Sequence, residues 1–140
     1  MVAQGAWSEN EVNLSMLSSD YVAQDGDVLT GKLLFPVKIS IAAGANVTLR
    51  DATIIGSYES TFTEEYLYPY AGITCKGDAT ITLEGDNEVC GNSPYYPGIQ
   101  PGPTGKTLTI KGSGSLKARS NGASTGIGCC SEGSCGNIVI

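Results

Sequence analysis

The chain's 140 residues make one domain, enough to bury a single core. Lys plus Arg is 8 and Asp plus Glu is 14, for a formal charge of −6, which argues against nucleic acid and anionic lipid as partners because both need clustered cations. Histidine is absent, which removes Ser-His-Asp and Cys-His catalysis, imidazole acid–base chemistry and every His-containing metal site.

The stretch from Met1 to Trp7 has neither a basic nor an apolar signal-peptide region. Residues 8–19 predict a short helix, with Ser8 as N-cap and Glu11 completing a capping box. Residues 1–20 are thus expected to form an N-terminal cap or arm, and 21–140 the main domain. No apolar run approaches the ~18 residues of a membrane helix, so no membrane insertion is expected.

Past Leu17 the apolar residues come in short alternating clusters: Ile39-Ser40-Ile41, Val47-Thr48-Leu49, Ile73-Thr74-Cys75, Ile81-Thr82-Leu83, Leu108-Thr109-Ile110 and Ile138-Val139-Ile140. Period two over β-branched residues predicts strands. Glycine-rich turns such as Gly77-Asp78, Gly85-Asp86-Asn87 and Gly112-Ser113-Gly114 separate them. The clusters recur: Val47, Ile81, Leu108 and Ile138 stand at related positions (81 − 47 = 34, 108 − 81 = 27, 138 − 108 = 30). Ile41, Cys75, Ile99 and Ile127 precede them, and Ile54, Val89 and Leu116 follow. Asp27 to Phe35 reads as a worn first unit.

Linkers this short exclude helical crossovers. An antiparallel sandwich also uses short strands and glycine turns, but the repeated triplet order favours an all-β parallel β-helix, about four coils of three strands each. Ile41, Leu49, Ile54, Ile73, Cys75, Ile81, Leu83, Val89, Leu108, Ile110, Leu116, Ile138 and Ile140 are expected to point inward. Thr48, Thr74, Thr82, Thr109 and Glu88 are expected to point outward.

The stretches Ala71 to Gly85, Pro97-Gly98-Ile99, Gly105 to Gly114, Gly126-Ile127-Gly128 and Ser134 to Ile140 resemble a β-helical carbohydrate-binding-domain family. Its members are surface proteins of gut and cellulolytic bacteria, typified by a clostridial polysaccharide-binding protein. The resemblance spans about residues 25–140. It implies a right-handed parallel β-helix outside a bacterium, with bound calcium. Members usually carry glycines where Cys129 and Cys130 stand.

Tyr58, Tyr66, Tyr68 and Tyr70 lie in one insertion, and Tyr95 and Tyr96 in the next. Both insertions fall between the third strand of one unit and the first of the next, so stacking brings the six tyrosines to one edge. Aromatic faces there would pack on sugar C–H surfaces and phenols would bond sugar hydroxyls; the competing reading is a satellite packing cluster. Adjacent Glu64 and Glu65 point apart in an extended chain and make a poor acid–base pair, so no catalysis is expected. Asp51 beside Arg50 reads as a surface ion pair. Calcium needs several oxygen ligands on one edge; Gly77-Asp78 and Gly85-Asp86-Asn87 supply candidates without fixing a site.

Cys75, Cys90, Cys129, Cys130 and Cys135 are disulfide candidates, with Cys75 expected inward and Cys90 outward. The expected function is non-catalytic polysaccharide binding at a bacterial surface. The rival is a structural protein that assembles end to end into fibres through an apolar, uncapped Ile138–Ile140 strand.

Overall fold

Alternating β-branched residues form the strands, and parallel neighbours bury their apolar side. The computed structural model describes residues 10–55, 70–92, 95–120, 122, 124–129 and 134–140. In chain order the strands are β1 (Asn10–Asn13), β2 (Tyr21–Ala23), β3 (Asp27–Lys32), β4 (Ile39–Ile41), β5 (Asn46–Ile54), β6 (Ile73–Cys75), β7 (Ala79–Glu84), β8 (Asp86–Cys90), β9 (Ile99–Gln100), β10 (Thr107–Gly112), β11 (Ser115–Arg119) and β12 (Asn137–Val139). The chain is nearly all-β, and every pairing among the described strands is parallel. One ladder runs β1-β3-β5-β7-β10-β12, and a second runs β2-β4-β6-β9. An Ile127 bridge to Ile99 extends the second ladder. β8 pairs with the end of β5 on one side and with β11 on the other. Each pass of the chain thus lays its strands beside those of the pass before.

The core follows the registers. Val47 lies opposite Ile81, and Ile81 opposite Ile110. Leu49 meets Leu83, and Ile54 meets Val89. On the second ladder Ile39, Ile73 and Ile99 line up. These residues join one continuous apolar cluster, and each fully buried Ile, Leu or Val contributes about 1.5–3 kcal/mol. Thr48, Thr74, Thr82, Thr109 and Glu88 alternate with the core residues and are only half-buried.

Where a pass turns from its second strand into its third, the backbone takes a positive φ. Gly31, Gly85 and Gly112 do so, and in β5 the position belongs to Asp51, with φ 50. Asp51 is the extra residue at which β5 stops pairing with β7 and starts pairing with β8. Its carboxylate accepts from the Asp86 amide at 2.9 Å. One step on, Asn87 is 4% exposed and bonds three passes: its Oδ1 accepts from the Ala52 amide at 2.9 Å, and its Nδ2 donates to the Glu84 and Ser115 carbonyls, both at 3.1 Å.

Several other acidic residues cap the next pass. Asp20 accepts from the Lys38 amide, Asp25 from Asn46 and Asp78 from Thr107, at 2.8 to 2.9 Å. Asp78, a candidate calcium donor in the sequence, thus engages backbone.

Four expectations change. Residues 10–19 form no α-helix: β1 pairs with β3 and a single 3-10 turn, Leu14–Met16, follows. Asn13 accepts the Ser15 amide in a local turn, the competition that keeps Asn and Ser out of helix interiors. Ser8 lies outside the described residues. The repeat is misaligned by two positions after Ile81: Ile110, not Leu108, faces Ile81, Ala118 rather than Leu116 faces Val89, and Ile99 faces Ile73. Leu108 sits opposite Ala79, and an inward alanine is easily passed over as an anchor. Cys90, expected outward, is buried at 2% exposure, but it stays outside the core cluster that Val89 joins, so alternation keeps it on the Glu88 side of the strand and only its exposure differs from the expectation. Ile138 and Ile140 are 38% and 87% exposed instead of buried; among the described strands β12 pairs only with β10.

Candidate functional site

The segments leaving β5, β8 and β11 emerge at one edge. Register places Ile54 level with Val89, and Cys90 level with Arg119. Backbone hydrogen bonds then tie neighbouring corners together. The Asn92 amide donates to the Tyr70 carbonyl at 3.2 Å, and Gly72 to Pro97 at 3.3 Å. The next corner joins through Gly91 to Arg119 and Ile99 to Gly126, both at 3.0 Å. A side chain at Gly91 would press its Cβ to 2.3 Å from the Tyr96 carbonyl oxygen, so this approach requires glycine there.

Three of the six candidate tyrosines fall within the described residues. Tyr70 is half-buried and its hydroxyl donates to the Pro36 carbonyl, which fixes the ring. Tyr96 is half-buried, and Tyr95 is 46% exposed. Backbone bonds join the segment of Tyr70 to the corner that carries Tyr95 and Tyr96, and Tyr95 is the most exposed of these three rings. Tyr58, Tyr66 and Tyr68, with Glu59, Glu64 and Glu65, lie outside the described residues. Below this corner Asn92 is buried, and its Oδ1 has no hydrogen-bond partner among the described residues.

The charges beside the corner are arranged along the passes. Arg119 donates to Glu88 at 3.0 Å, and that bond raises the guanidinium further. Arg50 donates to Glu84 at 2.8 Å and lies 3.8 Å from Glu11, while the Asp51 carboxylate serves the Asp86 amide. The ion pairing of Arg50 therefore runs across strands, beyond the expected sequence neighbour. Among the described residues no group of three or more Cys, Asp and Glu side chains could hold a metal ion.

The cysteines divide by location. Cys129 and Cys135 form a disulfide with Cα atoms 5.6 Å apart. Cys75 and Cys90 are free and buried. Burial pushes the Cys75 thiol up to about 12 and also raises Cys90, so both remain protonated packing groups at neutral pH. Cys130 lies outside the described residues.

Sequence reasoning named Asn87 only as a calcium candidate and Asp51 only as an ion-pair partner, missing the backbone bonds both make, and it did not bring Thr53, Glu88 and Lys117 into one row. The signal for that row was present: all three alternate with core residues at related positions, as Glu88 alone was recognised to do. No helix among the described residues is long and apolar enough to cross a membrane. Comparison with protein-family models, curated proteins and solved structures found no match.

Proposed function

We propose that the chain is a right-handed parallel β-helix module that holds polysaccharide without cleaving it, outside a bacterial cell, through its tyrosine corner. The observation that carries this reading is the junction of the two corners by the Asn92–Tyr70 and Gly72–Pro97 hydrogen bonds, with Tyr95 half in solvent beside them. Parallel ladders built pass by pass support the solenoid. The resemblance to the β-helical carbohydrate-binding family points the same way. The Cys129–Cys135 disulfide suits an oxidising exterior.

Tyr95→Ala tests the reading by affinity electrophoresis in gels containing soluble polysaccharides. Loss of one stacking ring costs about 1 kcal/mol, roughly a fivefold loss of affinity, with the circular dichroism spectrum unchanged. Equal retention of the variant and the parent removes the tyrosine corner from the function.

A second reading, copies joined along the ladder, draws on exposed Ile138, Val139 and Ile140. Light scattering separates the two: length-heterogeneous particles support assembly, and a concentration-independent monomer rejects it.

A further inference from the structure

The third strands carry a feature that the tyrosine reading leaves unused. On their outer side lies a cavity of about 310 Å³, lined by Thr53, Asp86, Asn87, Glu88, Ser115 and Lys117. This is the lower end of the ~300–1,000 Å³ range of ligand sites. Its lining is set by register: Thr53 opposes Glu88, Glu88 opposes Lys117, and Asp86 opposes Ser115. With strands ~4.8 Å apart the three-residue row spans roughly 10 Å, the scale of one or two sugar rings. The floor is rigid, because Asn87 bonds Ala52, Glu84 and Ser115 on three successive passes.

The chemistry of the lining narrows the occupant. Asp86 and Glu88 bring two negative charges. Lys117 in the wall and Arg119, bonded to Glu88 at 3.0 Å, bring two positive ones. The formal charges therefore cancel. One Asp86 oxygen accepts from the Ser115 hydroxyl at 2.8 Å, which orients the carboxylate. Carboxylates accept hydrogen bonds and an ammonium donates them. A sugar hydroxyl does both, and adjacent hydroxyls match the two oxygens of a carboxylate. A polyanion would face Asp86 and Glu88, and an apolar molecule would leave all of these groups desolvated and unpaired.

We propose that this groove is a binding subsite for a neutral sugar unit of a polysaccharide, with Asp86 and Lys117 gripping its hydroxyls. The proposal rests on the polysaccharide reading and deepens it, since β8 and β11 run from the groove straight into the tyrosine corner.

The test is affinity electrophoresis of the full chain in gels containing a soluble neutral β-glucan, a galactomannan or polygalacturonate. The variants are Asp86→Asn, Lys117→Ala and Tyr95→Ala, with thermal melts as a fold control. Asp86→Asn retains an oxygen to accept from Ser115, and Lys117 is exposed, so both variants should fold. The expected result is retention by a neutral glycan that falls at least roughly fivefold in Asp86→Asn and Lys117→Ala. Full retention of both groove variants while Tyr95→Ala is released overturns the groove and leaves the tyrosine corner standing. Loss in the groove variants with Tyr95→Ala unaffected supports the groove and discards the tyrosine corner. Stronger retention by polygalacturonate than by either neutral glycan overturns the neutral-ligand assignment. No retention of the parent chain in any gel overturns both readings.

Discussion

Asp27 is 3% exposed and its carboxylate collects three bonds: from the Tyr21 hydroxyl at 2.6 Å, the Asn10 side chain at 2.9 Å and the Gln24 amide at 2.9 Å. Burial by itself would raise this carboxyl, but the three bonds outweigh it and hold it below its usual value. A lowered folded-state value stabilises the fold above the unfolded value of about 3.9, and that stability is lost as pH falls through the lower value. Tyr21 moves the other way: burial first, then its bond to Asp27, push it up to about 12. Its contribution is complete at neutral pH and fades as pH climbs from about 10 toward 12. Urea midpoints measured against pH should therefore fall at both extremes, with a shallower acid limb in Asp27→Asn. In Tyr21→Phe the Asp27 carboxyl loses one donor, and its NMR titration should move to higher pH.

Asn87 concentrates more at one site. Asn87→Ala would strand the Ala52 amide and the Glu84 and Ser115 carbonyls, so we expect a loss of about 3 kcal/mol in urea denaturation. Asn87→Asp should fail to rescue it, because the donors to both carbonyls are gone and a charge faces them.

At the level of elements, the strands were readable because Ile, Val and Leu alternate with Thr over short runs, a pattern that survives local error. Taking Leu108 for the counterpart of Ile81 slipped the alignment by two, yet side chains alternate with period two, so every inside–outside assignment within β10 survived. A slip of one would have inverted them. The helix expected at residues 8–19 failed for a different reason. Ser8 and Glu11 make a plausible local start, but β3 offers Asn10–Asn13 a ladder of parallel partners, and distant pairing overrode local preference. The tyrosine corner was legible as an insertion, because length changes there leave strand spacing intact. The groove was not legible: it depends on matching residues from three passes, and the misaligned pass included Lys117. Turns are equally exacting. Gly112 holds φ 107, and a Cβ there would lie 2.5 Å from the Leu83 carbonyl oxygen. Gly112→Ala should destabilise by about 3 kcal/mol in the same assay.

For the molecule as a whole, each strand leans chiefly on the pass before and the pass after, so stability is a chain of neighbour contacts. Perturbations should stay near where they are made. The Cys129–Cys135 link closes a short loop and is worth about 2 kcal/mol by chain entropy. Its reduction should speed amide hydrogen exchange in β12 and around Ile127 while leaving β3 and β5 unchanged. Uniform acceleration across all strands would instead mean that the ladders melt as one unit.

The corners that follow β5, β8 and β11 differ greatly in length, yet the strands on either side keep their rungs: Ile54 stays level with Val89, and Ile73 with Ile99. The fold has thereby separated its scaffold from its variable parts, much as an antibody domain does. Sequence can be exchanged at this one edge without renegotiating the architecture, so engineered descendants with unrelated insertions there would be expected to share the same ladders and differ in the surface they present.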